Sequence, residues 1–318
     1  MKIFVKKPNE NWIVDRMVDE FYSYYPDLRT DSIYDADIVW LLADWCYDQL
    51  PYDVLQYKKV VTTIHHVVIE KWIRDSAQRR AFAHRDKITD YYHVFNARTE
   101  AFVAGVSPNK EIFEIPYWVN TKLWKKQGKI KSRKYLNENF NLGIPLGNNV
   151  EVIRSFQRDT EGSDLISPKL EKGPDIFCDY VESRWKSGSK IFVLLGGWRR
   201  QYVMKRLKAA NVPFVYLEKP ADEVMKYMYS SLDLYVVGSR CEGGPQSLFE
   251  SGVMGVRCIS TPVGAAEQVL PPESISTDLL LATPNIPDVS KHLDHVAFPR
   301  YYDFFTEIAS RLFEWVNI

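Results

Sequence analysis

"SRCEGGPQSLFESG", residues 239–252, decides how the rest of the chain reads. It follows an apolar run, "LDLYVV" (232–237), and sets Glu242 and Glu250 eight positions apart with Gly243, Gly244 and Pro245 between them. Glycines allow a tight turn and close approach of a ligand to backbone. Pro245 suits the first turn of a helix, where its missing N–H is no loss, and Gly255 suits the C-cap. The pattern predicts a helix over 246–254 that opens at the carboxyl end of a strand. The N–H groups of Gln246, Ser247 and Leu248 are then left to meet an anion. Two carboxylates beside an anion site fit a ligand that also carries hydroxyls, because ionised carboxylates accept strongly from O–H donors. A nucleotide sugar has this make-up, with phosphates between hydroxyl-rich rings.

Outward from this stretch the same pattern repeats. Upstream lie "KIFV", "DIVWLLA", "KVVTTIHH", "YHVFNA" and "IFEIP"; around it lie "VEVIRSF", "KIFVLLGG", "VPFVYLE", "LDLYVVGS" and "RCISTPV". Continuous apolar runs of this length read as parallel strands buried on both faces. Amphipathic stretches such as "EKWIRDSAQRRAFAHR" and "GPDIFCDYVESRWKS" separate them. The expectation is an α/β chain of two Rossmann-like domains. The Gly-, Asn- and Pro-rich "NLGIPLGNN" (141–149) marks the boundary, giving domains over 1–145 and 146–300. Before it, Lys122, Lys125, Lys126, Lys129, Lys131, Arg133 and Lys134 read as a solvated linker leading into a helix. The final segment, 301–318, has helical period, with Phe304, Ile308, Leu312 and Phe313 on one face and Trp315 near it.

The bulk numbers exclude several classes. The 318 residues are 46% hydrophobic and carry a formal net charge of zero, so no global field draws the chain to nucleic acid. The four cysteines lack C-x-x-C spacing, which argues against a zinc site or a disulfide scaffold. Free thiols and an N-terminus that runs straight into a strand point to the cytoplasm. No apolar run is long enough to span a bilayer; peripheral contact through the basic run stays open. Asp35–Asp37 spells D-x-D just before a strand, where a turn explains it better than a metal. Walker A, H-E-x-x-H and G-x-S-x-G motifs are missing, as is a G-x-G-x-x-G after the first strand.

The E-G-G-P-x-x-x-x-E stretch, its preceding strand and the following "STPVGAAEQ" resemble the E-x7-E region of GT-B retaining glycosyltransferases, notably glycosyltransferase family 4. The resemblance implies two Rossmann-like domains facing each other across a cleft. It implies that Glu242 contacts donor-sugar hydroxyls, that Glu250 holds the ribose, and that the backbone from Gly243 and Gly244 to Ser247 approaches sugar and pyrophosphate. Arg158 and Lys172, or Lys169 in its place, match the family's cations beside the diphosphate. His65, or His66, matches its histidine at the end of a first-domain strand. Gly196, Gly197 and Arg199 in "LLGGWRR" and Leu217 and Glu218 in "VYLEKP" fall where the donor and its base are approached. "IPYWVNTKLW" departs from the family's I-P-N-G-V-D by Tyr117 and Trp118. The terminal helix would cross back to the first domain. The implied reaction moves a sugar from a nucleotide-diphosphate sugar to an acceptor hydroxyl, with no cofactor and no metal. The acceptor could be a lipid-linked glycan, a growing polysaccharide, a protein or a small molecule. Alternatives are an epimerase or sugar phosphorylase on the same frame, or a non-catalytic binding subunit.

Overall fold

All ten apolar runs form strands, five in each of two parallel sheets. The structure, a computed structural model, describes residues 1–10, 12–162 and 165–311. The chain divides into two compact units, Met1–Trp118 with Asp294–Ile318, and Val119–Leu293.

In the first unit β1 (Ile3–Val5), β2 (Ile38–Leu41), β3 (Lys59–Ile64), β4 (Tyr91–Val94) and β5 (Glu111–Glu114) lie side by side in chain order. Ile3 also bridges Arg29 in parallel on the free side of β1. The chain therefore steps first to one side of β1 and returns to lay β2 on the other, which makes a topological switch point between β1 and β2. The two faces are covered accordingly. On one, Phe21 of the helix Ile13–Tyr24 packs edge-on against Trp40 at 5.1 Å and against Phe305 of the helix Asp294–Ser310 at 5.8 Å. On the other, Val39, Leu41, Leu55 and Val60 form a separate cluster. His93, fully buried, joins Thr63 Oγ1 at 2.9 Å and donates Nε2–H to the Ile115 carbonyl at 3.0 Å. Burial pushes its imidazole down to about 3, so it packs as a neutral ring.

The second unit holds β6 (Glu151–Ser155), β7 (Ile191–Gly197), β8 (Phe214–Glu218), β9 (Leu234–Val237) and β10 (Arg257–Ser260), in the order β10-β9-β6-β7-β8. From β6 the chain winds one way through β7 and β8, then crosses to β9 and β10, so its switch point lies between β6 and β9. Ile153, Val193, Leu234 and Val236 meet Phe177 and Leu207 in its core.

The domain boundary differs from the expected 145/146. Residues 119–145 group with the second unit, because the helix Lys129–Phe140 packs on it: Tyr135 stacks on Tyr227 at 4.0 Å. The charged run is accordingly not a plain solvated linker. Arg133 is fully buried and donates to the Asp233 carboxylate at 2.7 Å, the Ser231 carbonyl at 2.9 Å and the Pro145 carbonyl at 3.0 Å. Lys129 meets Asp233 at 2.6 Å. The last helix starts at Asp294, earlier than expected, and buries Phe304 and Ile308 in the first unit; Leu312, Phe313 and Trp315 lie outside the described residues.

Burial opposes ionisation of Asp233, but the Lys129 hydrogen bond, the Val152 N–H and the Arg133 charge outweigh it and hold its carboxyl below the ordinary range. A depressed carboxyl contributes stability above the unfolded-state pKa, roughly 4, and loses it as pH falls toward the folded value. The wild-type Tm is expected to drop more steeply below pH ~4 than that of Asp233→Asn. Parallel pH profiles of the two proteins would contradict this.

Candidate functional site

At the carboxyl edge of β6 and β9 a polar cluster gathers around Glu242. Lys172 Nζ pairs with Glu242 Oε2 at 2.6 Å, and Gln157 Nε2 and Ser239 Oγ donate to Oε1 at 3.1 and 3.2 Å. Lys169 instead meets Glu171 at 3.7 Å, so Lys172 is the lysine that reaches the cluster. Backbone geometry explains the neighbouring glycines. Gly173, at φ +57°, leaves no room for a side chain against the Gly238 carbonyl, and Gly264, at φ +53°, sits against the carbonyls of Glu242 and Gly243. The "KG" pair, the end of β9 and the "STPVG" turn thus close onto one another, with Gly243 and Pro245 buried and Gly244 half-buried.

The helix Gln246–Met254 begins and ends where the sequence predicts, with Gly255 at φ +68° as its C-cap. Pro245 is the N-cap, not the first helical residue, and its carbonyl accepts the Leu248 N–H at 2.9 Å. Of the three expected N–H groups, Leu248's is therefore used; those of Gln246 and Ser247 have no main-chain partner among the described residues. Glu250 is only 5% exposed, and its Oε2 accepts the Tyr229 hydroxyl at 2.6 Å. Burial and the Glu250 charge push the Tyr229 phenol well up. Arg154, which the strand pattern "VEVIRSF" gave no reason to single out, is fully buried nearby. Its Nη2 lies on the sulfurs of Met225 and Met228, while Nε and Nη1 have no hydrogen-bond partner among the described residues. Burial drives its guanidinium well below the ordinary arginine range.

The remaining residues singled out from the second half of the sequence lie near Trp198 and the β7–β8 pair. Arg158 donates Nε–H to the Thr160 carbonyl at 2.9 Å and lies 5.1 Å from the Trp198 ring centre. Arg199 and Lys219 approach the same ring at 4.4 and 4.7 Å. Arg158 thus lies beside Trp198. Gly196 and Gly197 face the chain itself: a side chain would meet Arg154 Nη2 at 2.7 Å from Gly196 and the Phe156 carbonyl at 2.7 Å from Gly197. Leu217 and Glu218 pair across to these two glycines in the β7–β8 register. The pair beneath them escaped sequence reasoning. Asp159 meets Arg200 at 3.1 Å and caps the helix Gln201–Ala209 at the N–H groups of Tyr202 and Val203, while Arg200 donates to the Ser155 and Gly196 carbonyls.

His65 belongs to the first unit, at the end of β3. Its Nε2 sits 2.8 Å from the Leu42 carbonyl, which can only accept, so Nε2 carries the proton; Nδ1 then accepts the Tyr117 hydroxyl at 3.1 Å. Tyr117 stacks on Phe95 at 3.5 Å, and Trp118 is buried with its N–H on Glu20 at 2.7 Å. The departure from Asn-Gly is thereby a piece of core. His66 follows His65 in the half-buried loop. Asp37 accepts the Lys2 N–H at 2.6 Å in the turn before β2. Among the described residues no three His, Cys, Asp or Glu side chains gather as metal ligands, and no helix is long and apolar enough to cross a membrane.

No family model and no curated protein matches the sequence. Solved structures do match the fold. Anabaena Alr3699/HepE, in complex with UDP and glucose, superposes with a TM-score of 0.65 at 12% identity over 88% of each chain. Sucrose-phosphate synthase from Thermosynechococcus elongatus gives 0.58 at 18% identity, covering 84% of this chain and 67% of that one. A point mutant of S. aureus TarM, in complex with fondaparinux, alpha-GlcNAc-glycerol and UDP, gives 0.54 at 12% identity over 80% of this chain and 47% of the other. With its two parallel five-stranded units, the chain has the α/β fold of the GT-B class.

Proposed function

We propose that the chain is a retaining glycosyltransferase that moves a sugar from a nucleoside-diphosphate sugar to an acceptor hydroxyl, with no metal. One observation carries this reading: a carboxylate held by Lys172, Gln157 and Ser239 sits at the β6/β9 switch point, directly ahead of a helix whose first two N–H groups have no main-chain partner among the described residues. Ligands of open α/β sheets bind at such a point, and the helix end favours a phosphate.

Lys172 neutralises Glu242. A bound donor replaces both partners: Lys172 turns to the diphosphate, and Glu242 accepts hydroxyls of the sugar. As the bond from the anomeric carbon to the phosphate oxygen breaks, negative charge builds on the leaving diphosphate. Lys172 and the N–H groups of Gln246 and Ser247 stabilise it more than they stabilise the ground state. The acceptor oxygen forms its bond to the anomeric carbon on the same face, and its proton passes to the departing phosphate oxygen. Glu250, held by Tyr229, takes the ribose; Arg158 and Arg199, beside Trp198, supply positive charge toward the base end with Leu217 and Glu218. His65 of the first unit is oriented by Leu42 and Tyr117. All four cysteines are free thiols, in keeping with a cytoplasmic enzyme.

UDP is the first nucleotide to try, since the HepE and TarM structures hold it. A ligand that binds only the folded state raises Tm with its concentration. UDP or another nucleoside diphosphate is expected to raise Tm by several degrees with or without magnesium, and much less in Glu250→Ala. If no nucleotide shifts the folded wild type, the donor-site reading is wrong. Sugar appearing on an acceptor with the donor's anomeric configuration separates transfer from epimerisation or phosphorolysis.

A further inference from the structure

We propose that the carboxyl edge of β1 and β2 in the first unit is a saccharide-binding surface, built from Glu10, Trp12 and Trp45, that takes a pyranose ring of a glycan acceptor. The word acceptor rests on the function proposed above; the binding itself does not.

Trp12 and Trp45 are 50% and 43% exposed, whereas Trp40, Trp118 and Trp124 are at most 1% exposed. A tryptophan left this open forgoes the burial that its large apolar area would otherwise give. Both follow adjacent strands, Trp12 as the N-cap of the helix Ile13–Tyr24 after β1 and Trp45 in the 3-10 helix Asp44–Gln49 after β2. The return of the chain past Arg29 makes this pair of strands the switch point of the sheet, the place where loops diverge and a ligand can enter.

The loop is built, although it is open. Asp15, 6% exposed, accepts the Asn9 N–H at 2.8 Å and the Trp12 N–H at 3.4 Å, with Asn9 in the left-handed region at φ +58°. Glu10 Oε1 accepts the Trp45 indole N–H at 3.3 Å, which sets the angle of the ring. Glu10 Oε2 has no partner among the described residues. The Trp45 ring lies 6.2 Å from that of His65, so the surface continues to the end of β3.

An aromatic face beside an open carboxylate oxygen suits a sugar ring. The C–H face of a pyranose covers the indole, and its edge hydroxyls donate to the carboxylate. An acyl chain has no use for the carboxylate, and an anionic ligand is repelled by its charge.

The test uses the full chain on a printed glycan array, followed by tryptophan-fluorescence titration with maltotriose, cellotriose and chitotriose. Saturable binding of a saccharide is expected, weakened about tenfold or more by Trp45→Ala, by several-fold in Trp12→Ala and Glu10→Gln, and largely kept in Trp45→Phe. The UDP-induced Tm shift should be the same in all four variants. Retention of no glycan by the wild type, or affinity untouched by Trp45→Ala, overturns the proposal. So does sensitivity to these substitutions only in binding to phosphatidylcholine vesicles. Glycan binding without any nucleotide shift would sink the transferase reading and leave this surface standing; a nucleotide shift without glycan binding would do the reverse.

Discussion

Lys172→Ala is expected to lower kcat about 10²–10³-fold while KM for the donor changes only a few-fold. The lysine pairs with Glu242 at the switch point, and under the proposed function it exchanges this partner for the diphosphate. An interaction that strengthens as charge develops on the leaving group is lost mainly from kcat. Lys172→Arg should recover part of the rate, since charge is kept and shape is altered. Lys169→Ala, whose lysine faces Glu171, should stay near wild type. Single-turnover kinetics with saturating donor make the comparison. A Lys172→Ala protein with unchanged kcat would remove the lysine from the chemistry.

The second large effect is on stability. Asp159→Ala is expected to cost about 3–5 kcal/mol, the range for breaking a buried ion pair at one partner. Asp159 and Arg200 have side chains 2% and 1% exposed, so the arginine left behind would be a buried, uncompensated charge. Burial pushes the Asp159 carboxyl above its ordinary range even with Arg200 beside it, so the pair is expensive to assemble. The large cost of breaking it comes from the orphaned partner, not from a strong net attraction. The double change Asp159→Ala with Arg200→Met should therefore be milder than the two single losses added together. Urea unfolding followed by a probe of the second unit measures this; a loss below about 1 kcal/mol for Asp159→Ala would rule the account out.

Strands and the helix 246–254 were legible because burial on both faces and cap residues leave local traces in sequence. What sequence did not show are pairings between distant positions. Arg133 sits in a lysine-rich run and looks solvated until Asp233, a hundred residues on, is seen beside it. That unseen contact also displaced the domain boundary. Gln157 and Ser239 gain meaning only when β6 and β9 are neighbours, and the choice between Lys169 and Lys172 turns on a short 3-10 turn of loop. Arg158 reads as a phosphate ligand by position, yet the structure sets it on Trp198. Composition counts tryptophans without telling Trp45 from Trp40.

The helix Asp294–Ser310 completes the first unit although the whole second unit precedes it in the chain. During translation, then, the β1–β5 sheet emerges with the Trp40 and Phe21 side bare and waits for its last layer. At typical elongation speeds that wait is on the order of ten to thirty seconds, long enough for the second unit to fold first. A nascent chain halted before Asp294 should present this bare aromatic side to a holdase chaperone, and lose the chaperone once the helix is released from the ribosome.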